Sequence, residues 1–150
     1  MLNRIMTKKK KNVNLENALV EKPKKKRSTA YSKNKGSRYE QQIAKELREL
    51  GFPGCKTSRS ESKATDDNKV DIIDTENKLP CSIQLKKTQV TPQYFNIRSQ
   101  STVDPETFCI IWNKQEKKET NICSVGECVI IDKNFFYKLI KNYVDGKSGN

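Results

Sequence analysis

The chain has 150 residues, of which 30 are Lys or Arg and 18 are Asp or Glu, so its net charge is +12, and it contains no histidine. This length allows one domain with a modest core. The missing histidines exclude Ser-His and Cys-His nucleophile pairs and any histidine metal ligand, so chemistry must rest on carboxylates, amides and lysine.

The first predicted segment is a disordered basic arm over residues 1–34, whose lysine-rich runs leave little apolar material to bury. Residues 1–35 hold 12 Lys and Arg against 2 acids, a net charge of +10, while residues 36–150 hold 18 against 16. A polycationic arm on a nearly neutral body suits a polyanionic partner, of which nucleic acid is the commonest and a membrane surface the alternative.

The opening residues 1–6 carry no long apolar run, so neither a signal peptide nor a transmembrane helix is predicted. We therefore expect an intracellular protein of the cytoplasm or nucleoid, with no membrane partner and no small-molecule cofactor. The basic run at residues 22–27 also resembles a nuclear localisation signal, although a phosphate-binding arm explains the same residues.

A helix is predicted over residues 37–50, which carry apolar residues at helical spacing and end before Gly51. Glu40 lies on the shoulder of that apolar stripe, where its carboxylate can reach inward. The same segment fits a capping box, in which Glu40 only accepts a hydrogen bond from the Ser37 amide. The pattern leaves both interpretations open.

The most informative stretch is a predicted hairpin that pairs residues 70–73 with residues 83–86 through a polar turn at residues 76–78. A reversal centred between residues 77 and 78 pairs residues whose numbers sum to 155, so Asp71 faces Gln84. Because side chains alternate along strands, one face is aliphatic and the other carries Asp71, Gln84 and Lys86. This polar face is typical of a metal site. The alternative is a solvated edge hairpin whose lysines discourage aggregation.

The other elements are shorter or follow the hairpin. We predict a strand at residues 55–58, a polar loop at 59–68, one or two helical turns at 91–98, a strand at 107–112, a Lys- and Glu-rich turn, strands at 120–125 and 127–131, and a last helix capped by Asp132. This order predicts an α/β domain at residues 35–145, with a mixed central sheet flanked by helices, and a tail at residues 146–150.

Four motifs occur in a fixed order along residues 35–90. They are Lys35-Gly36-Ser37-Arg38-Tyr39-Glu40, Ser60-Glu61-Ser62-Lys63, Asp71-Ile72-Ile73 and Gln84-Leu85-Lys86. This series resembles the PD-(D/E)xK nuclease superfamily, and most closely the archaeal-type Holliday junction resolvases. The chain departs from that pattern at Val70, where the family has proline, and at Gln84, where it has a second acid.

The resemblance implies a restriction-endonuclease-like fold and a metal site that hydrolyses DNA phosphodiester bonds with Mg²⁺, or with Mn²⁺ as a substitute. Asp71 would be the central ligand, joined by the Gln84 side-chain oxygen, the Leu85 carbonyl and Glu40, directly or through water. Because an amide brings no charge, weaker metal binding and one metal rather than two are expected.

The same resemblance gives Lys86 and a loop serine roles at the scissile phosphate. Lys86 would stabilise the developing charge or deprotonate the attacking water, and the sequence does not choose between these roles. Ser60 would contact the phosphate, with Ser58 and Ser62 as the alternative counterparts of the family serine.

DNA, in branched form, is the expected partner of a homodimer, whose two-fold symmetry suits a junction with paired strands to cut. Phosphate contacts are expected from Lys33, Lys35, Arg38, Arg59, Lys63 and Lys87. Two other functions stay open: a restriction-like or repair nuclease that cuts duplex or flapped DNA, and a catalytically silent nucleic-acid-binding relative of the same fold.

Overall fold

The computed structural model describes the backbone of residues 29–60 and 69–147 and the side chains of residues 33–60 and 69–146. Short 3-10 turns at Ser58–Ser60 and Pro105–Thr107 connect its main elements. Those elements are α1 Thr29–Glu49, β1 Cys55–Thr57, β2 Ile72–Asp74, β3 Ser82–Thr88, α2 Tyr94–Ser99, β4 Phe108–Lys118, β5 Asn121–Ile130 and α3 Lys133–Lys147.

The strands form one mixed sheet in the order β1-β2-β3-β4-β5. Every neighbouring pair is antiparallel except β3 and β4, which are parallel and are joined by a crossover that contains α2. The mixed sheet flanked by helices confirms the predicted α/β, restriction-endonuclease-like architecture.

Two apolar clusters cover opposite faces of this sheet. On one face, Tyr39 and Ile43 of α1 pack against Ile83 and Leu85 of β3 and Phe135 of α3. The other cluster holds Tyr94 of α2 with Phe108, Ile110 and Trp112 of β4. Since side chains alternate along each strand, the two clusters use alternate residues of β4. The central strands of the sheet are thus covered by α1 on one face and by α2 on the other.

The β2–β3 hairpin has the predicted register, because Ile72 pairs with Ile83. Its turn is held by Asp74, whose carboxylate accepts hydrogen bonds from the backbone amides of Glu76, Lys78 and Leu79 at 3.0, 2.8 and 2.9 Å. Asn77 has a φ of 52°, a conformation that asparagine tolerates better than most residues. The side chain of Asp74 therefore fixes the turn, and the turn fixes the register.

The first helix starts earlier than predicted, at Thr29 instead of Ser37. Its early turns gain a tertiary contact that apolar spacing does not reveal, since the Lys35 ammonium donates to the Gln115 side-chain oxygen at 2.6 Å. Residues 29–34 of the predicted arm are therefore helical, and residues 1–28 lie outside the described part of the chain. At the other end α3 includes residues 146–147 of the predicted tail.

The region after Trp112 is strand where a Lys- and Glu-rich turn was predicted. Strand β4 continues to Lys118, and β5 is one continuous strand instead of two. The reversal needs only Glu119 and Thr120, with Glu119 at a φ of 49°. The charged composition hid a long antiparallel pairing whose inward face is polar.

Candidate active site

Strands β2 and β3 separate at Asp71, and the Asp71 carboxylate lies in the opening. The Asp71 amide still donates to the Ile83 carbonyl at 2.9 Å. Two residues further along β3, however, the Leu85 amide donates to Asp71 Oδ2 at 2.7 Å. A side-chain oxygen thus takes the place of a carbonyl of the neighbouring strand. This places a carboxylate where the sheet splits.

Gln84 lies directly beside that carboxylate, as the predicted register requires. Its side-chain amide donates to Asp71 Oδ2 at 2.6 Å, and the residue is only 6% exposed. Gln84 Oε1 is buried and has no hydrogen-bond partner among the described residues. A buried acceptor left unpaired costs about 1–3 kcal/mol, so this oxygen suits a ligand that the protein does not itself provide.

Lys86 follows Gln84 on the same face of β3. In the parallel pairing Gln84 lies beside Ile110 and Lys86 beside Trp112, and both of these β4 residues belong to the cluster on the α2 side of the sheet. Within the described part of the chain, the half-buried Lys86 ammonium makes no hydrogen bond or salt bridge. Lys86 is therefore an available cation on the strand face that also carries Gln84.

Glu40 is buried on α1, with 5% of its surface exposed. Its carboxylate pairs with the Arg59 guanidinium at 3.2 Å. The capping-box interpretation is wrong, because Ser37 lies inside α1 and does not start it. Helix α1 covers one face of the sheet, and the Gln84 side chain lies on the other face. The Glu40 carboxylate can therefore approach the Asp71–Gln84 pair only through the opening between β2 and β3.

Arg59, which is predicted to contact DNA, also ties the first helix to the turn after β1 through its pair with Glu40. The preceding residue, Ser58, donates its amide to the Asp71 carbonyl at 2.9 Å. One backbone hydrogen bond therefore connects the Glu40–Arg59 pair to Asp71. The Arg59 side chain is still 50% exposed, so one side of its guanidinium faces solvent.

The loop serines have different environments. Ser58 is buried, and its hydroxyl has no hydrogen-bond partner among the described residues. Ser60 is exposed, and its hydroxyl donates to the Thr57 carbonyl at 2.6 Å. Ser62 and Lys63 lie outside the described residues. Of the two described serines, only Ser60 is open to a phosphate.

Three of the predicted DNA contacts line one groove of about 380 Å³ between α1 and the β4–β5 hairpin. They are Lys35, Arg38 and Lys87, and Ile122 of β5 lies opposite them. The Lys87 ammonium is 5.0 Å from the centroid of the Tyr39 ring, which holds it against α1. Lys33 is exposed nearby on α1. The cations are therefore gathered on one surface.

A buried polar network beneath α1 was not predicted from the sequence. Lys35 donates to Gln115, Gln115 donates to Asn113, and Asn113 donates to the Glu127 carboxylate. Burial, followed by the negative charge of Glu127, raises the pKa of the Tyr39 hydroxyl above its usual range. The alternation of Asn113 and Gln115 was the available signal, and the surrounding lysines obscured it.

The described residues hold no group of three or more His, Cys, Asp or Glu side chains arranged to bind a metal ion. The predicted ligands include only two carboxylates, and the third side-chain donor is the Gln84 amide. Oxygen donors of this kind suit a hard cation. The charge they supply suits one cation better than two.

The mixed sheet and its flanking helices are consistent with the fold of the PD-(D/E)xK nuclease superfamily. Residues 31–101 match the family model of the archaeal Holliday junction resolvases (hjc). The match confirms the resemblance seen in the sequence, and it spans α1 to α2 with all the candidate site residues. No curated protein and no solved structure matches the chain. None of the described helices is long and apolar enough to cross a membrane.

Proposed function

We propose that the chain is a Mg²⁺-dependent, structure-selective DNA endonuclease of the Holliday junction resolvase type. The observation that carries this proposal is the Asp71 carboxylate in the opening between β2 and β3, in contact with Gln84 and two residues from Lys86 along the strand face. The family match over residues 31–101 supports a nuclease at the family level.

Mg²⁺, with Mn²⁺ as a substitute, would be held by Asp71 and by the unpaired Gln84 oxygen, with the Leu85 carbonyl completing the β3 contribution. A cation bound there neutralises phosphate oxygens and lowers the pKa of a bound water. Glu40 would contribute through water, because its carboxylate already pairs with Arg59 and approaches from the other face of the sheet.

Lys86 would act on the phosphate itself. Its ammonium has no competing protein partner among the described residues, so it can stabilise the charge that develops on the phosphoryl oxygens or assist deprotonation of the attacking water. Ser60, exposed in the turn after β1, would donate a hydrogen bond to a phosphate oxygen or accept one from a water of the phosphate's hydration shell.

The basic groove would hold the DNA backbone beside this site. Lys35, Arg38 and Lys87 supply positive charge along α1 and β3. Lys117 pairs with Ile122 across the β4–β5 hairpin and shares its sheet face, so it extends the same cationic surface. Contacts of this type position DNA without reading its sequence.

A four-way junction is the proposed substrate, cut by a homodimer with one site for each of two strands. The test compares cleavage of a synthetic junction with cleavage of a linear duplex of the same arm sequence, with and without Mg²⁺. The proposal predicts Mg²⁺-dependent cutting of the junction. Equal rates on the duplex or on a flapped substrate would instead support the restriction-like or repair nuclease.

One observation favours a second candidate, a DNA-binding protein without catalytic turnover. Asp71 is satisfied by hydrogen bonds from Gln84 and Leu85, and Glu40 is neutralised by Arg59, so both acids have protein partners in the absence of a metal. This candidate predicts junction binding that is indifferent to Mg²⁺ and to Asp71→Asn. The nuclease proposal predicts that the same substitution abolishes cutting and preserves binding.

A further inference from the structure

The two partners of the Glu40–Arg59 ion pair differ in how firmly they are held. The Glu40 side chain is only 7% exposed, whereas the Arg59 side chain is 50% exposed, and their charged groups are 3.2 Å apart. Glu40 lies within α1 and below the protein surface. The Arg59 guanidinium already has one side in solvent, so side-chain rotation alone can take it out of the pair.

The backbone that carries Arg59 is fixed independently of the ion pair. The Ser58 amide donates to the Asp71 carbonyl at 2.9 Å, and the Ser60 hydroxyl donates to the Thr57 carbonyl at 2.6 Å. Neither hydrogen bond involves the Arg59 side chain, so both persist when the guanidinium moves. Release of Arg59 therefore requires no rearrangement of the turn that contacts Asp71.

The ion pair also changes the charge that the site offers to a cation. Glu40 and Asp71 are the two carboxylates among the predicted ligands, and Gln84 adds no charge. While Arg59 is paired, it cancels one of these two negative charges. A buried carboxylate requires a positive partner, so Arg59 and a divalent cation compete for Glu40. Because such coupling is reciprocal, each of the two weakens the other's hold on this carboxylate.

We propose that Arg59 is an exchangeable counterion: it gives up Glu40 when Mg²⁺ binds, and its released guanidinium then binds a DNA phosphate. The planar fork of an arginine suits carboxylate and phosphate oxygens alike, so one group serves both partners in turn. The exchange makes DNA binding at Arg59 dependent on the metal. This inference rests on the proposed function, in which Glu40 contributes to the metal site.

Thermal unfolding of the full chain without DNA, in EDTA and over a series of Mg²⁺ concentrations, tests the competition. In EDTA, Arg59→Met should lower the melting temperature by roughly 5 °C, because Glu40 loses its guanidinium partner. The same variant should bind Mg²⁺ roughly 10-fold more tightly than the wild type, because the competing cation is gone. Arg59→Lys keeps the positive charge and should keep the wild-type Mg²⁺ affinity.

Two further variants distinguish this exchange from a salt bridge that only holds α1 to the turn. Arg98→Met breaks the partly buried Arg98–Asp132 pair, which joins α2 to the start of α3 at 2.9 Å. It should lower the melting temperature and leave the Mg²⁺ affinity unchanged. In a Glu40→Gln background, Arg59→Met should no longer strengthen Mg²⁺ binding. Wild-type Mg²⁺ affinity in the single variant Arg59→Met would overturn the proposal.

Junction binding tests the second half of the exchange. Fluorescence anisotropy is measured in a Lys86→Met background, in which slow cleavage allows binding to be followed with Mg²⁺ present. Adding Arg59→Met should weaken binding roughly 10-fold in Mg²⁺, and less than about twofold in EDTA, where Glu40 holds the guanidinium. An equal loss in both buffers would contradict the exchange, because Arg59 would then contact DNA whether or not the metal is bound.

Failure of this inference can be told apart from failure of the proposed function. If the wild type cuts the junction in a Mg²⁺-dependent way and Arg59→Met leaves the Mg²⁺ affinity unchanged, the nuclease proposal stands and the exchange is wrong. If Mg²⁺ changes neither the melting temperature of the wild type nor its activity on the junction, both are wrong.

Discussion

At the scale of single residues, the chain places an amide where the resembled family has an acid. The Gln84 amide donates to Asp71, so the pair is stable without a cation, whereas two carboxylates 2.6 Å apart would repel each other. Glutamine in place of the acid lowers the negative charge of the site and at the same time stabilises the protein when no metal is bound. Metal affinity and apo stability should therefore respond in opposite directions when the acid is restored.

Gln84→Glu tests this opposition. In EDTA the variant should lose about 1–3 kcal/mol of stability, since a buried hydrogen bond is replaced by like-charge repulsion. Added Mg²⁺ should raise its melting temperature by several degrees more than it raises that of the wild type. Gln100→Glu makes the same change at an exposed position and should show neither effect. Equal Mg²⁺ responses in the two variants would remove Gln84 from the ligand set.

Lys86 and Lys87 form a matched pair on opposite faces of β3. Lys86→Met should lower the cleavage rate at saturating DNA by roughly 100- to 1,000-fold and leave DNA affinity within about threefold, because its charge acts on the transition state. Lys87→Met should weaken DNA binding and reduce its salt dependence, with a smaller effect on the saturated rate, since it lines the groove. Single-turnover rates and binding titrations separate the two. Interchanged phenotypes would contradict these assignments.

The residues of the hairpin were predictable because their geometry is local. Alternation along a strand and a turn of known centre place Asp71 against Gln84 and leave Lys86 on the same face, and the structure has this register. The ion pair of Glu40 with Arg59 was not predictable, because it joins a helix to a turn that the sequence places on no particular side of the sheet.

At the scale of elements, the β2–β3 turn depends on one carboxylate. The hydrogen bond from the Glu76 amide lowers the pKa of the Asp74 carboxyl below its usual value near 3.8, and those from the Lys78 and Leu79 amides add to this effect. Desolvation raises the pKa but only partly offsets the lowering. Because the pKa is lower in the folded state, the turn's contribution to stability is present above the unfolded pKa. It is lost as the pH falls below about 4 through the folded value.

Asp74→Asn should therefore destabilise the protein most at neutral pH, and the difference from the wild type should shrink as the pH is lowered from about 5 to 3. Urea unfolding of both proteins at several pH values measures it. Asp145→Asn, on an exposed part of α3, should give no such pH dependence. A difference that stays constant with pH would show that Asp74 acts through its shape and not through its charge.

The elements after Trp112 were predicted least accurately from the sequence. Charged residues at 114 and 116–119 suggested a turn, but the inward-facing Asn113 and Gln115 are buried beneath α1 by the network that starts at Lys35. The partners in that network are up to 80 residues apart, so their pairing depends on the tertiary fold. Local composition could not indicate it.

At the scale of the whole molecule, the mixed sheet between α1 and α2 follows from the order of the elements, and the sequence pattern predicted it. Two parts of the molecular surface differ in character. Lys and Arg side chains lie along α1 and β3, whereas exposed apolar side chains lie on α3 and in the groove beside the last strand.

The most direct test of the proposed activity is cleavage of a synthetic four-way junction by the purified full chain with Mg²⁺, set beside Asp71→Asn and the control Asp145→Asn. We predict paired, Mg²⁺-dependent cuts by the wild type and by Asp145→Asn. Asp71→Asn should bind the junction and not cut it. If the junction stays intact with the wild type, or if Asp71→Asn cuts it equally well, the active site is not at the opening between β2 and β3.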